Sequence, residues 1–185
     1  MESQVLDARG EIRAAASWSR TRLSNPPCRV ALPRYSPAML TISQTLLDTI
    51  YRHGEEAFPA ECCGILLGSR DGDRRLVQEV KPAQNLRAEE RNDRYEIDPA
   101  FRKQVEDEAA SRGLAVIGFY HSHPNHEAYF SQTDLECCEE YIWGEPWIPS
   151  TYSYPVVSVK EGQAAYHKCF IIVDGEAQEE ELVIR

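Results

Sequence analysis

In the stretch GFYHSHPNHEAYFSQTD, residues 118–134, His121 and His123 stand one residue apart, Pro124 follows, and Asp134 lies eleven residues beyond His123. In an extended chain, residues i and i+2 point to one face, so both imidazoles can converge on a point while Ser122 turns the other way. Two imidazoles and a carboxylate, with a fourth position left to water, make the ligand count of a catalytic zinc site. The same residues also have a reading without metal. Ser131 is a helix N-cap and Asp134 a first-turn acid favoured by the helix dipole. A metal site that activates water also needs a base from elsewhere in the chain. Glu61 is one candidate, because it precedes the apolar run CCGILLG, where a carboxylate has no packing reason to be. Glu55 and Glu56 stand close by as equal alternatives. Spacing leaves that choice open.

These residues need elements to hold them. Residues 43–58 carry an amphipathic helical pattern, with Ile42, Leu46, Leu47 and Ile50 on one side and Pro59 as the stop. ECCGILLGS and RLVQEVKPA read as strands joined by the turn RDGDR, and NLRAEERNDR reads as loop. Asp98 and Pro99 are N-cap and first helical residue of a helix through Phe101, Val105 and Ala109 that ends at Gly113. LAVIGFY is a short strand delivering the chain into His121, and a helix follows from Ser131 through SQTDLECCEEYIW. PVVSVK, QAAYHKCFIIVD and EAQEEELVI close the chain as strands separated by Glu-Gly and Asp-Gly turns. The expectation is a mixed α/β domain with hairpins over residues 39–185. Residues 1–38, rich in Arg, Ser and Pro without a period, read as a disordered extension or a start assigned too early, with Met39 the true start. A transit segment is disfavoured by Glu2, Asp7 and Glu11.

Composition narrows the class. The chain has 185 residues and a hydrophobic fraction of 42%, enough for one ordinary core. Its net charge of −10 is uneven: residues 1–40 balance at +3 and residues 41–185 at −13. So acidic a domain has little electrostatic reason to bind nucleic acid. No run approaches the roughly 18 apolar residues of a membrane span. The six cysteines (Cys28, Cys62, Cys63, Cys137, Cys138 and Cys169) form no C-x-x-C, so neither a disulfide framework nor a cysteine-rich zinc site is expected. No signal-peptide pattern is read, and the expected location is cytoplasmic. A zinc deaminase would need H-x-E with P-C-x-x-C, and neither occurs. A Cys137 or Cys138 nucleophile paired with His121 is disfavoured, because both cysteines lie at helical packing positions beside Leu135.

Taken together, ECCGILLG (61–68), HSHP (121–124) and SQTD (131–134) resemble the signature of the JAMM/MPN+ (JAB domain) zinc metalloproteases, compact prokaryotic type. The resemblance covers about residues 40–180. It implies a cytidine-deaminase-like MPN/JAB fold, α/β, with a mixed β-sheet flanked by helices. It implies one Zn2+ per chain held by His121, His123 and Asp134, with water as the fourth ligand. Glu61 becomes the general acid/base and Ser131 the partner of the substrate carbonyl or oxyanion. The implied reaction is hydrolysis of an amide bond after the C-terminal Gly-Gly tail of a ubiquitin-like or sulfur-carrier protein. The alternative within the family is a catalytically inactive MPN scaffold. Residues 84–97 resemble the segment that grips an extended substrate tail in this family, although a solvated charged loop explains them equally well. His126 is expected to be solvent-exposed. His53 and His167 have no assigned partners, and the aromatic stretch 141–155 is a candidate contact surface or a loop folded over the core.

Overall fold

The computed structural model describes residues 39–90, 94–139 and 152–185. The expectations for residues 1–38, and most of the aromatic stretch 141–155, lie outside the described residues. Seven strands and three helices follow one another: β1 (Met39–Ile42), α1 (Gln44–Ala57), β2 (Cys63–Asp71), β3 (Arg74–Ala83), α2 (Pro99–Ser111), β4 (Ala115–Pro124), α3 (Gln132–Glu139), β5 (Tyr154–Lys160), β6 (Gln163–Val173) and β7 (Glu176–Ile184). The strands order as β1-β3-β2-β4-β5-β6-β7, and β1 pairs in parallel with both β3 and β7, closing the sheet. The closure runs through the four residues of β1, which reach Arg74–Leu76 of β3 and Glu181–Ile184 of β7. The β4–β5 pairing is also parallel and the remaining ladders are antiparallel. The mixed sheet with helices is therefore as expected, but the fold is richer in strand than a flanked open sheet.

Two boundaries differ from the sequence reading. Ile42 belongs to β1, and helix α1 begins only after Ser43, whose hydroxyl caps it by accepting from the Leu46 N–H. The run MLTI is too short to show a strand period beside a strong helical one, and its partners are far away in sequence. The strand expected to end at Tyr120 runs on to Pro124, because β5 offers a parallel partner through His121↔Val156 to Pro124↔Val159. The two histidines therefore lie on a strand and not beyond its end. Asp98 caps α2 as read, accepting from the Ala100 N–H, and Gly113 leaves that helix with φ of +73°.

The core has two parts, one on each face of the sheet. Leu47 and Ile50 of α1 pack with Leu66, Val77, Val157, Val159 and Tyr120. Val105 and Ala109 of α2 pack with Ile65, Leu67, Phe119, Val156 and Ile172. Side chains alternate along β4, so Phe119 faces α2 while Tyr120 faces α1. Each fully buried Leu or Ile contributes roughly 1.5–3 kcal/mol, which fixes the register of strands whose side-chain alternation then has no freedom. At Gly54 of α1 a Cβ would stand 3.0 Å from Val159 Cγ2 and 3.5 Å from Ser122 Cβ, so the helix rides directly on the sheet there. The cysteines Cys62, Cys63 and Cys169 are buried free thiols, and burial pushes Cys62 up to about 12.

Candidate metal centre

Register brings the distant glutamate to the histidines. Cys63 pairs with His121, and the next step outward joins Cys62 to Ser122, whose N–H donates to the Cys62 carbonyl at 3.1 Å. Glu61 follows one residue further out, just beyond the paired stretch. Glu61 is 5% exposed, whereas Glu55 and Glu56 lie exposed on α1, and Glu55 accepts from the Ala164 N–H. Position thus distinguishes three glutamates that sequence could not separate.

His121, His123 and Asp134 are all buried, and their ligating atoms lie within 4.8 Å of one another. The two Nε2 atoms are 3.1 Å apart, and Asp134 stands 3.4 Å from His121 Nε2 through Oδ1 and 3.5 Å from His123 Nε2 through Oδ2. With bonds of about 2.0–2.1 Å at tetrahedral angles, ligand atoms stand about 3.3 Å apart. The 3.1 Å gap between the two Nε2 atoms is close to that of two ligands on one tetrahedral metal, and Asp134 approaches each imidazole with a different oxygen. His123 Nδ1 lies 3.0 Å from the Glu127 carbonyl, which can only accept, so the ring carries its proton there and turns the Nε2 lone pair inward. Burial by itself raises the Asp134 carboxyl, yet His121 beside it, then His123 and Ser131, pull it well below the usual carboxylate range.

Asp134 belongs to a second constellation as well. Its N–H donates to Ser131 Oγ at 3.0 Å, while the Ser131 N–H donates back to Oδ2 at 2.7 Å. That is a reciprocal capping box at the start of α3. Ser131 Oγ also donates to Oδ2 at 2.6 Å. The capping and metal readings are compatible, because one carboxylate occupies both positions.

Several residues around the cluster were not singled out from sequence. Tyr95 stacks on the His121 ring at 4.8 Å, Tyr129 meets His123 edge-on at 4.8 Å, and Phe130 lies against His121 at 6.1 Å. Their only signal was aromaticity beside a polar motif. The NHEAYF segment, to which sequence gave no role, is tied down throughout. The Ser158 hydroxyl donates to the His126 carbonyl, Tyr166 bonds Glu127 and the Ala128 N–H, and Lys160 pairs with Glu127 at 2.8 Å. The His126 side chain is exposed, as expected. His53 and His167 do have partners, the hydroxyls of Tyr120 and Tyr51. Among the described residues of 84–97, Asn85 bonds the Glu61 and Arg94 carbonyls and the Arg87 and Glu96 N–H groups. The Cys137 and Cys138 side chains lie outside the described residues.

A buried His/His/Asp triad that could hold a metal, on a mixed sheet and with a buried glutamate just ahead of the strand that pairs with His121, fits a JAB/MPN domain. Residues 43–167 match the family described as prokaryotic homologs of the JAB domain, and the chain belongs to that family. Among curated relatives it is 38% identical over 101 residues to a desampylase of Haloferax volcanii, covering 52% of this chain and 70% of that one. It is 28% identical over 142 residues to a CysO-cysteine peptidase of Mycobacterium tuberculosis, covering 77% and 88%. A solution structure of a Desulfitobacterium hafniense protein superposes with a TM-score of 0.67 at 28% identity, covering 80% of this chain and 93% of that one. Among the described residues no helix is long and apolar enough to cross a membrane.

Proposed function

We propose that this chain is a zinc-dependent peptidase or isopeptidase that hydrolyses the amide bond following the C-terminal Gly-Gly of a ubiquitin-like or sulfur-carrier protein. The observation that carries the reading is the convergence of three buried side chains whose ligating atoms lie within 4.8 Å of one another, the two Nε2 atoms at 3.1 Å. Zinc, held by His121, His123 and Asp134, supplies Lewis acidity to the scissile carbonyl and to attacking water. Glu61 accepts the proton of that water on its carboxylate and returns it to the leaving amine. Burial of the cluster keeps bulk water away and strengthens each charge interaction within it. Ser131 Oγ serves as hydrogen-bond donor to the carbonyl oxygen as negative charge develops there. To do so it must give up its 2.6 Å bond to Asp134, and that bond favours a second role, holding the carboxylate toward the histidines.

The relatives named desampylase and CysO-cysteine peptidase support the choice of substrate class. The acidic balance of residues 41–185 suits a protein partner with a basic face better than a nucleic acid. The test uses two probes: a sulfur-carrier protein extended past Gly-Gly by a short peptide, and the same carrier joined to a lysine side chain. Cleavage at the Gly-Gly carbonyl, with about one zinc per chain, is expected. Glu61→Gln should retain the zinc and lose roughly 10²–10⁴-fold in kcat. A protein that never retains zinc and cuts neither probe would be the scaffold alternative.

A further inference from the structure

The peptide group joining Glu61 to Cys62 is gripped at both ends by side chains. Asn85 Nδ2 donates to the Glu61 carbonyl at 3.0 Å, and the Cys62 N–H donates to Ser122 Oγ at 2.9 Å. These two groups belong to one planar unit, so fixing both ends fixes the plane. That plane fixes the Glu61 Cα and the axis of its Cα–C bond, and so limits where the Glu61 side chain starts. The ladder between β2 and its neighbours begins only at Cys63, so Glu61 lies just outside regular pairing.

Both clamps are themselves immobilised. Asn85 uses all four of its hydrogen-bonding positions: Nδ2 also reaches the Arg94 carbonyl at 3.0 Å, and Oδ1 accepts from Arg87 N–H at 2.9 Å and Glu96 N–H at 3.1 Å. Ser122 is completely buried between the two histidines, facing α1, with Gly54 packed over it. The segment His121–His123 therefore presents two imidazoles on one face of β4 and holds the glutamate's backbone with its middle residue from the other. We propose that Ser122 and Asn85 are positioning residues for Glu61, keeping its carboxylate in register with the His121/His123/Asp134 cluster. The inference rests on the reading of Glu61 as acid/base. A displacement of about 1 Å at a reacting group costs about 10²-fold in rate, so a small rotation of this peptide matters.

The test compares Ser122→Ala, which removes the acceptor of the Cys62 N–H, with Asn85→Asp, which turns oxygen toward two carbonyls. Each is measured alone and combined with Glu61→Gln, using the carrier–Gly-Gly–peptide fusion as substrate. Bound zinc and KM should stay near wild type while kcat falls about 10²-fold. In the Glu61→Gln background neither change should lower kcat further. In metal-free protein, hydrogen exchange at the Cys62 amide should accelerate in Ser122→Ala while the Val105 and Ala109 amides of α2 keep their protection. A merely structural role would speed exchange in α2 as well, or would cost the same factor with and without Glu61. Either result overturns the inference, and so does unchanged Cys62 exchange. Should Ser122→Ala fail to fold, Asn85→Asp decides through the kcat and double-variant comparison. Wild-type turnover by Glu61→Gln would instead remove the acid/base reading, a distinct outcome.

Discussion

Arg75 on β3 and Glu180 on β7 meet at 2.7 Å across β1, with side chains 2% and 0% exposed. His121, His123 and Asp134 are as deeply buried but present three ligating atoms to one another, and His121 Nδ1 is buried without a hydrogen bond. In the first region each charge is cancelled by its partner, and the pair helps seal the closed sheet. In the second, inward-facing lone pairs repel unless a proton or cation lies among them. Burial pushes the Glu180 carboxyl up even with Arg75 beside it, while Asp134 is held down. One buried polar cluster thus closes its charges on each other, whereas the other points three ligating atoms at one spot and could hold a metal.

The comparison breaks most sharply under single substitutions. Asp134→Ala or His121→Ala should abolish zinc retention and lower kcat by at least about 10³-fold, with a modest change in the Tm of metal-free protein. Arg75→Met should do the reverse. It leaves zinc content intact but lowers stability by about 3–5 kcal/mol, because Glu180 stays buried without its counter-charge. The double variant Arg75→Met/Glu180→Leu should recover most of that loss in urea unfolding. Loss of zinc from Arg75→Met would mean that the two regions are one.

A smaller effect separates the two roles of Ser131. Ser131→Ala should cost α3 about 0.5–2 kcal/mol through the lost cap and weaken zinc binding about 10–100-fold. Competition with a chelator reads the affinity. If turnover at saturating zinc stays about 10²–10³-fold low, the hydroxyl acts on substrate; if it recovers, Ser131 only orients Asp134.

The smallest effect concerns His53 and His167, which burial holds below the ordinary imidazole value, with Glu56 partly opposing at His53. The folded chain binds these protons less readily than the unfolded chain. Stability present above about pH 6.5 should therefore be lost as pH falls toward the folded values. A Tm series from pH 7 to pH 5 should flatten in His53→Gln/His167→Gln, and a slope equal to wild type would assign the loss to other groups.

Much of this was legible in the sequence because it is local. The i, i+2 pair, the Ser-x-x-Asp box, the Asp-Pro start of α2 and the three C-terminal strands all follow from spacings of a few residues. What was not legible depends on pairing at long range. Ile42 looked helical because β1 gains its stability from strands more than thirty and more than a hundred residues away. Glu61 differs from Glu55 and Glu56 in being buried, which depends on the tertiary fold and not on local sequence. Asn85 and Ser122 act on backbone atoms, which leave no mark in side-chain pattern, and Tyr95 meets His121 through a loop whose composition reads as solvent-facing.

Gly54 gives the far side of the sheet a mechanical meaning. A single methyl there would crowd Val159 Cγ2 at 3.0 Å, and Val159 lies on the strand paired with the His121–Pro124 segment; Ser122 would meet it in ordinary contact at 3.5 Å. The reacting face could then be detuned from a helix that shares no atom with substrate. Drift at that one small residue would reach the cluster from behind without ever touching a ligating side chain.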